Sequence, residues 1–351
     1  MPELPEVEHF RQILLSLVSK VKSTQGVCLE FGPPPLPTKR FPSEQTIRCI
    51  NEGNYIIVDV LRKGKVLCIV LEKRTEKAAT KRNNNPNETQ QAEGMTDKIL
   101  LLLHMGMTGR ISSPNHIPKL ESLSDECSYP PPHTHLIINS PNGQQACFSD
   151  PRRFGSVFVH NYEGQSSIDE ECIPAFQELA PDALTTLAQD SCSNIIQQFA
   201  NQKKVIKAIL LDQRQVISGV GNWVADEVLY RSRLHPDQSF LTVSEATTLV
   251  NEMHYVLSKA VKCLNNDEEL PEQWLFHHRW RGKGNGGKTS KDFNEKSISF
   301  VKSGGRSSAI VPSLQKKVVR KAVVAEASDS RVCTKKKSTT TPSTSAKRRK
   351  R

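Results

Sequence analysis

The chain opens Met1-Pro2-Glu3-Leu4-Pro5-Glu6-Val7-Glu8, and these residue types can do covalent chemistry. Removal of an initiator Met ahead of a small residue would expose the amine of Pro2. An α-amino group titrates near ~8, against ~10.4 for a lysine, so part of it is unprotonated and nucleophilic at neutral pH. Its adduct with an aldehyde carbon is an iminium, cationic without further protonation. That cation draws electrons from a bond two atoms away, and Glu3 and Glu6 stand beside it as proton carriers. A second segment, Gly219-Val220-Gly221-Asn222, lies between helix-like stretches at 206–211 and 223–231. Asn222 reads as an N-cap, the glycines permit close backbone approach, and the free N–H groups of a helix start attract phosphate. No third glycine follows at the spacing of a dinucleotide fingerprint. A third cluster, Leu61-Arg62-Lys63-Gly64-Lys65-Val66, puts three basic residues where one strand turns into the next. Taken alone it reads as solvated charge.

Pro2–Glu8 is followed by His104-Met105-Gly106-Met107-Thr108-Gly109, by Ser149-Asp150-Pro151-Arg152-Arg153-Phe154-Gly155, and by the run from Ser218 to Glu227. In type and order these four segments resemble the formamidopyrimidine-DNA glycosylases, over residues 2–72, 98–235 and, more loosely, 270–316. The resemblance implies a bifunctional DNA glycosylase and abasic-site lyase acting on oxidised purines: formamidopyrimidines, 8-oxoguanine and hydantoins. Pro2 would attack the deoxyribose C1′, Glu3 would shuttle a proton, and Glu6 would support it. Lys65 would contact DNA and assist elimination, with Arg62 and Lys63 as neighbouring alternatives. Met107, Arg152 and Phe154 would fill the gap left by an extruded nucleotide. An apolar wedge and a planar cation restore part of the stacking and pairing that extrusion costs. Arg153, His133, Lys203, Lys204, Gly221 and Asn222 would contact DNA. Residues 302–307, Lys-Ser-Gly-Gly-Arg-Ser, look like the zincless finger of plant and fungal relatives, with Arg306 as its DNA-contacting tip. Neither cofactor nor metal is implied: no cysteine stands between Cys263 and Cys333, and adjacent His277 and His278 lack partner ligands. Damaged double-stranded DNA is the expected partner of a monomer. The rivals are an oxidised-pyrimidine enzyme of the same fold, against which Leu4 and Asp150–Phe154 argue, and a non-catalytic damage-binding protein.

Other features bound the reading. The net charge of +11 is not spread evenly, because residues 317–351 hold twelve Lys or Arg against two acids. Residues 1–316 are then close to neutral, so DNA affinity there must come from local clusters. The tail has two basic runs around a Ser/Thr stretch and reads as disordered, with a nuclear address. No apolar run approaches membrane-spanning length and no apolar signal core opens the chain, which predicts a soluble protein that is not secreted. Nine scattered cysteines without a Cys-x-x-Cys pair fit a reducing compartment.

The elements that must hold these groups predict an α+β fold. Val7, Phe10, Leu14 and Leu17 recur at helical spacing, with Pro5 suited to a first turn. Strand-like runs follow at 55–60, 65–71, 99–103, 110–112, 135–139, 144–149 and 155–160. They predict a two-sheet β-sandwich over residues 1–170, interrupted by a polar, disordered insertion at 73–97. Residues 114–132 read as a surface loop. Helical patterning over 171–270 predicts a separate domain with a helix–two-turns–helix element. The finger occupies 271–316, a hairpin in which Ile298 and Phe300 face Ala309 and Val311. It should pack on the helical domain through Trp274, Phe276 or Trp280.

Overall fold

A computed structural model describes residues 2–18, 25–32, 39–74, 96–118, 128–164, 168–189, 192–279 and 291–320. Most of the 73–97 insertion, Trp280 and the tail beyond Arg320 lie outside these residues.

Helix α1 (Leu4–Leu15) begins with Pro5 in its first turn, and the Glu6 carboxylate reaches back to accept from the Glu3 N–H at 3.0 Å. Its apolar stripe divides between two cores. Val7, Phe10 and Leu14 face the sandwich, whereas fully buried Leu4 enters the core of the helical half. The N-terminal helix is therefore wedged where both halves meet.

The sandwich has two antiparallel sheets. One runs β1 (Cys28–Phe31), β6 (Thr134–Asn139), β7 (Gln145–Ser149), β5 (Arg110–Ser112). The other runs β2 (Tyr55–Lys63), β3 (Val66–Lys73), β4 (Thr96–His104), β8 (Ser156–Gly164). Leu67, Ile69, Leu71, Leu101 and Leu103 point to the shared core, as a two-residue period requires. The alternate residues Cys68, Val70, Leu100 and Leu102 are buried as well, under Ile173 and Phe176. Burial on both faces is why β3 and β4 read as unbroken apolar runs. Sequence analysis missed β1 and α2 (Glu44–Glu52). The latter is signalled by Ser43, whose hydroxyl accepts from the Thr46 N–H at 3.1 Å, and by buried Ile47 and Ile50 at helical spacing.

The helical half contains α3 (Pro174–Gln177), α4 (Ala183–Leu187), α5 (Ser193–Ala200), α6 (Ile206–Leu211), α7 (Asn222–Arg231), α8 (Val243–Asn265) and α9 (Leu275–His278). Helix α8 is started by a capping box: the Glu245 N–H donates to Thr242 Oγ1 at 3.2 Å, and Glu245 Oε2 accepts from the Thr242 N–H at 2.8 Å. Arg62 of β2 locks the halves together. Its guanidinium donates to Glu8 of α1 at 2.7 Å and to both carboxylate oxygens of Asp182, which also caps α4. Removing one partner from such a buried set typically costs ~3–5 kcal/mol. His9 adds a second tie, contacting Asn265 Oδ1 at 2.9 Å and His116 Nε2 at 2.8 Å.

The last element is the hairpin of β9 (Ser299–Ser303) and β10 (Arg306–Ile310), turned by Gly304 and Gly305 at positive φ. Ile298, Ala309 and Val311 are buried against Leu275, Tyr230 and Leu314. Two expectations are corrected here. Phe300 stands opposite Ala309 in the register, as expected, yet is 49% exposed and lies outside the buried cluster. Trp274 belongs to the helical core and Phe276 packs edge-on against Trp223, so neither is the hairpin's main support. Asp226 supplies a polar anchor instead, accepting from Arg279 at 2.6 Å, from the Ala309 N–H at 3.2 Å, and from Lys207. The chain also stays fastened beyond 316. Gln238 pairs with the N–H and C=O of Val318, and Arg320 donates to Glu245 at 2.5 and 2.8 Å.

Candidate active site and nucleic-acid interface

Pro2 is buried where the N-terminal segment crosses the glycine turn before α7. The Leu4 N–H donates to Gly219 O at 3.2 Å. Gly219 has φ 104°, and a Cβ there would lie 2.3 Å from Leu4 Cδ1, so the turn accepts no side chain. A Cβ on Gly221 would sit 2.2 Å from Glu3 Cδ. Both glycines are thus needed to let α1 approach.

The Glu3 carboxylate accepts from the N–H groups of Trp223 at 2.8 Å and Val224 at 3.1 Å. It occupies the start of α7, where the helix dipole favours negative charge. The Trp223 and Val224 N–H groups are thus taken by Glu3 rather than left free for a phosphate. Gly221 is the N-cap and cradles Glu3. Asn222 lies inside the helix and its side chain donates to Ser307 O at 3.1 Å, pinning the hairpin. Glu6 lies behind Glu3, accepting from Trp223 Nε1 at 3.0 Å. Burial, and then the charge of Glu3, push the Glu6 carboxyl up to about 7.

Lys65 completes the cluster. Its ammonium donates to Val220 O at 2.9 Å. Burial pulls it below the usual lysine range; Glu3 and Glu6 oppose that shift, and Arg306 adds to it. The alternatives at this turn are engaged elsewhere, Arg62 in the inter-half lock and Lys63 at Phe176 O, 3.0 Å away. Two neighbours escaped sequence analysis. Gln213 shapes the turn, accepting from the Gly219 N–H at 2.8 Å and donating to Val220 O at 2.9 Å. His104, opposite Val66 in the sheet, is pulled below the usual histidine range by burial and by the charges of Lys65 and Arg40. It opens the His104–Gly109 segment, so the motif contained it without any role attached to it.

Met107, Arg152 and Phe154 come from two loops that interlock. A Cβ on Gly106 would lie 2.5 Å from the Gly155 nitrogen. Fully buried Asp150 wires the loops together, accepting from Thr108 Oγ1 at 2.5 Å, the Arg152 N–H at 3.2 Å and the Gly155 N–H at 2.7 Å. It therefore positions the loop through backbone N–H groups rather than by pairing with the arginines. Met107 is half-buried, and Phe154 is 45% exposed with the Arg152 guanidinium 5.0 Å over its ring. Arg153 and His133 are exposed, both at positive φ, and His133 O accepts from the Asp150 N–H at 3.0 Å.

Lys203 and Lys204 are exposed ahead of α6, whereas Lys207 is fully buried on Asp226 and Asn222 O and cannot reach DNA. Arg306 is exposed on β10, opposite Ser303. His277 and His278 each contact a carbonyl, Leu270 O at 2.9 Å and Glu272 O at 3.3 Å. Among the described residues no three His, Cys, Asp or Glu side chains converge on a metal position. None of the described helices is long and apolar enough to cross a membrane.

Comparison with known proteins follows the same outline. The formamidopyrimidine-DNA glycosylase N-terminal domain matches residues 1–157, and the formamidopyrimidine-DNA glycosylase H2TH domain matches residues 179–268. A formamidopyrimidine-DNA glycosylase of Arabidopsis thaliana is 34% identical over 201 residues, 56% of this chain and about half (47%) of that enzyme's length. Its namesake from Thermus thermophilus is 31% identical over 264 residues, 75% of this chain and 76% of the relative. The Lactococcus lactis formamidopyrimidine-DNA glycosylase, solved on DNA containing an abasic site, superposes with a TM-score of 0.59 at 20% identity, over 90% of this chain and all of that one. With both family models matched in order along the chain, and a relative 31% identical over 76% of its length, the chain belongs to the formamidopyrimidine-DNA glycosylase family.

Proposed function

We propose that this protein excises oxidised purines from duplex DNA and then cuts the strand, with the Pro2 amine as nucleophile. The observation that carries the reading is the convergence of Glu3, Glu6 and Lys65 on the buried N-terminal segment at the start of α7. The Pro2 nitrogen bonds to C1′ as the C1′–N bond to the damaged base breaks, and Glu3 delivers a proton to the sugar or the leaving base. The nitrogen lone pair then opens the C1′–O4′ bond, with O4′ taking up a proton, and the resulting iminium acidifies the C2′ hydrogen. Loss of that proton breaks the C3′–O bond, and a second elimination releases the 5′ phosphate. Lys65 is placed to take or return these protons. Incubation with a duplex carrying one 8-oxoguanine or formamidopyrimidine, followed by borohydride, should yield a covalent adduct mapped by mass to Pro2. A lesion duplex left intact would end the proposal. Among oxidised purines hydantoins are expected to react fastest, as in the zincless relatives that the finger resembles; excision rates on one matched set of duplexes decide this.

The wedge reading makes a separate prediction. Met107→Ala, Arg152→Ala and Phe154→Ala should each weaken binding to lesion duplex while leaving undamaged duplex nearly unaffected, since these side chains act after a base has left the stack. Equal loss on both, measured by fluorescence titration, would mark them as general contacts.

The finger is held by β-pairing, the Leu275–Ile298 cluster and the Asp226 anchor. Activity should accordingly survive strong chelators, and Arg306→Ala should lower affinity without lowering the melting temperature. Stoichiometric zinc, or chelator inactivation reversed by zinc, would overturn this.

The basic tail serves nuclear targeting and non-specific DNA binding. Because Arg320 is clasped by Glu245, the clean truncation removes residues 321–351. Excision should persist while the salt dependence of duplex binding flattens, by about 0.9 in log–log slope for each phosphate no longer neutralised. An unchanged slope, or a tail-less fusion that still accumulates in the nucleus, would refute the respective role.

A further inference from the structure

The wedge loop is gripped from its N–H side by Asp150, which leaves the opposite, carbonyl edge to be accounted for. Arg153 at φ 57° turns the backbone so that the carbonyls of Arg153 and Phe154 belong to neither helix nor strand. Carbonyl oxygens on a surface meant for DNA would face phosphate, an electrostatically unfavourable pairing. A residue more than a hundred positions upstream covers them. Arg40 Nη1 donates to Arg153 O at 3.4 Å and to Phe154 O at 3.1 Å. The Arg40 main chain is itself fixed, since its carbonyl accepts from the Val157 N–H at 2.8 Å, just beyond the wedge loop.

We propose that Arg40 is a positioning residue for the wedge. Its guanidinium clamps the carbonyl edge of residues 153–154 while Asp150 clamps the N–H edge, so that Phe154 and Arg152 are held ready before a nucleotide is extruded. Pre-ordering matters because a floppy loop would have to be fixed during extrusion, at an entropic cost added to the unstacking cost. Both carbonyls are reached by one nitrogen, Nη1, so a lysine keeps the charge but loses the pre-organised planar head that aims it. The inference rests on the wedge reading of Met107, Arg152 and Phe154 given above. Its main competitor is a simpler role, in which Arg40 binds a phosphate directly.

Four measurements separate these. Arg40→Ala should slow excision from lesion duplex by about tenfold, the scale of one charge-assisted hydrogen bond. It should leave cleavage of an abasic site in a single-stranded oligonucleotide unchanged, because a single strand offers no duplex gap for the wedge to fill. The double variant Arg40→Ala/Phe154→Ala should be no slower than Phe154→Ala alone, since both changes disable one device. Arg40→Lys should recover only part of the rate. Additive losses in the double variant, or equal loss on single strands with a salt slope reduced by about one, would make Arg40 a phosphate ligand and overturn the proposal. A Phe154→Ala enzyme indistinguishable from its parent on lesion duplex would bring down the wedge reading itself, and the clamp with it.

Discussion

Pro2→Gly is expected to lose excision by on the order of 10²-fold or more, the penalty for misplacing a reacting group by about 1 Å. Glycine keeps an amine, but a primary one on a flexible residue, and Pro2 sits buried above a turn that tolerates no Cβ at Gly219 or Gly221. The pyrrolidine ring presets the direction of the nitrogen; glycine leaves it to wander. Adding one residue ahead of Pro2 is the sharper form of the test. The nitrogen becomes an amide with no basic lone pair, so borohydride trapping and strand cutting should both vanish while folding, read by circular dichroism, is unaltered. An extended protein with full activity would show that the nucleophile lies elsewhere.

Glu3→Gln should lower base removal by roughly 10²–10⁴-fold, the range for a positioned general acid or base. The amide cannot carry the proton, and its NH₂ would face one of the two N–H donors that the carboxylate now satisfies at Trp223 and Val224. Loss of that cap alone would cost ~1 kcal/mol of stability, too little to account for such a rate change. Cleavage of a preformed abasic site needs no proton on a departing base, so it should suffer much less. Equal losses on lesion and abasic substrates would assign Glu3 a purely structural part. Glu6 adds a pH signature. Its carboxyl, raised to about 7, is protonated below that pH and ionised above it. If the ionised form helps Glu3 accept a proton, the rate falls as pH drops through 7, and Glu6→Gln should flatten that limb in single-turnover profiles.

What the sequence by itself determined was whatever depends on neighbours along the chain. Pro2, Glu3 and Glu6 are legible as a unit because one helical turn must bring them together. The apolar spacing of Val7, Phe10 and Leu14, the runs of β3 and β4, and the Gly304-Gly305 turn likewise follow from local periodicity and backbone freedom. Tertiary structure alone decided which of three adjacent basic residues joins the site. Arg62 is removed from it by Asp182 and Glu8, Lys63 by Phe176 O, and only Lys65 is left beside Glu3. The start of α7 was recognisable as an anion site, yet its occupant is Glu3, some two hundred residues away in sequence. Lys207, three residues beyond exposed Lys204, is a lysine of the same type that burial on Asp226 withdraws from the surface. Arg40 carried no motif at all. The common reason is that a charged side chain's type states what it can donate or accept, whereas its partner is set by burial. Burial in turn depends on how distant elements pack, and that information is spread over the whole chain rather than held at any one position.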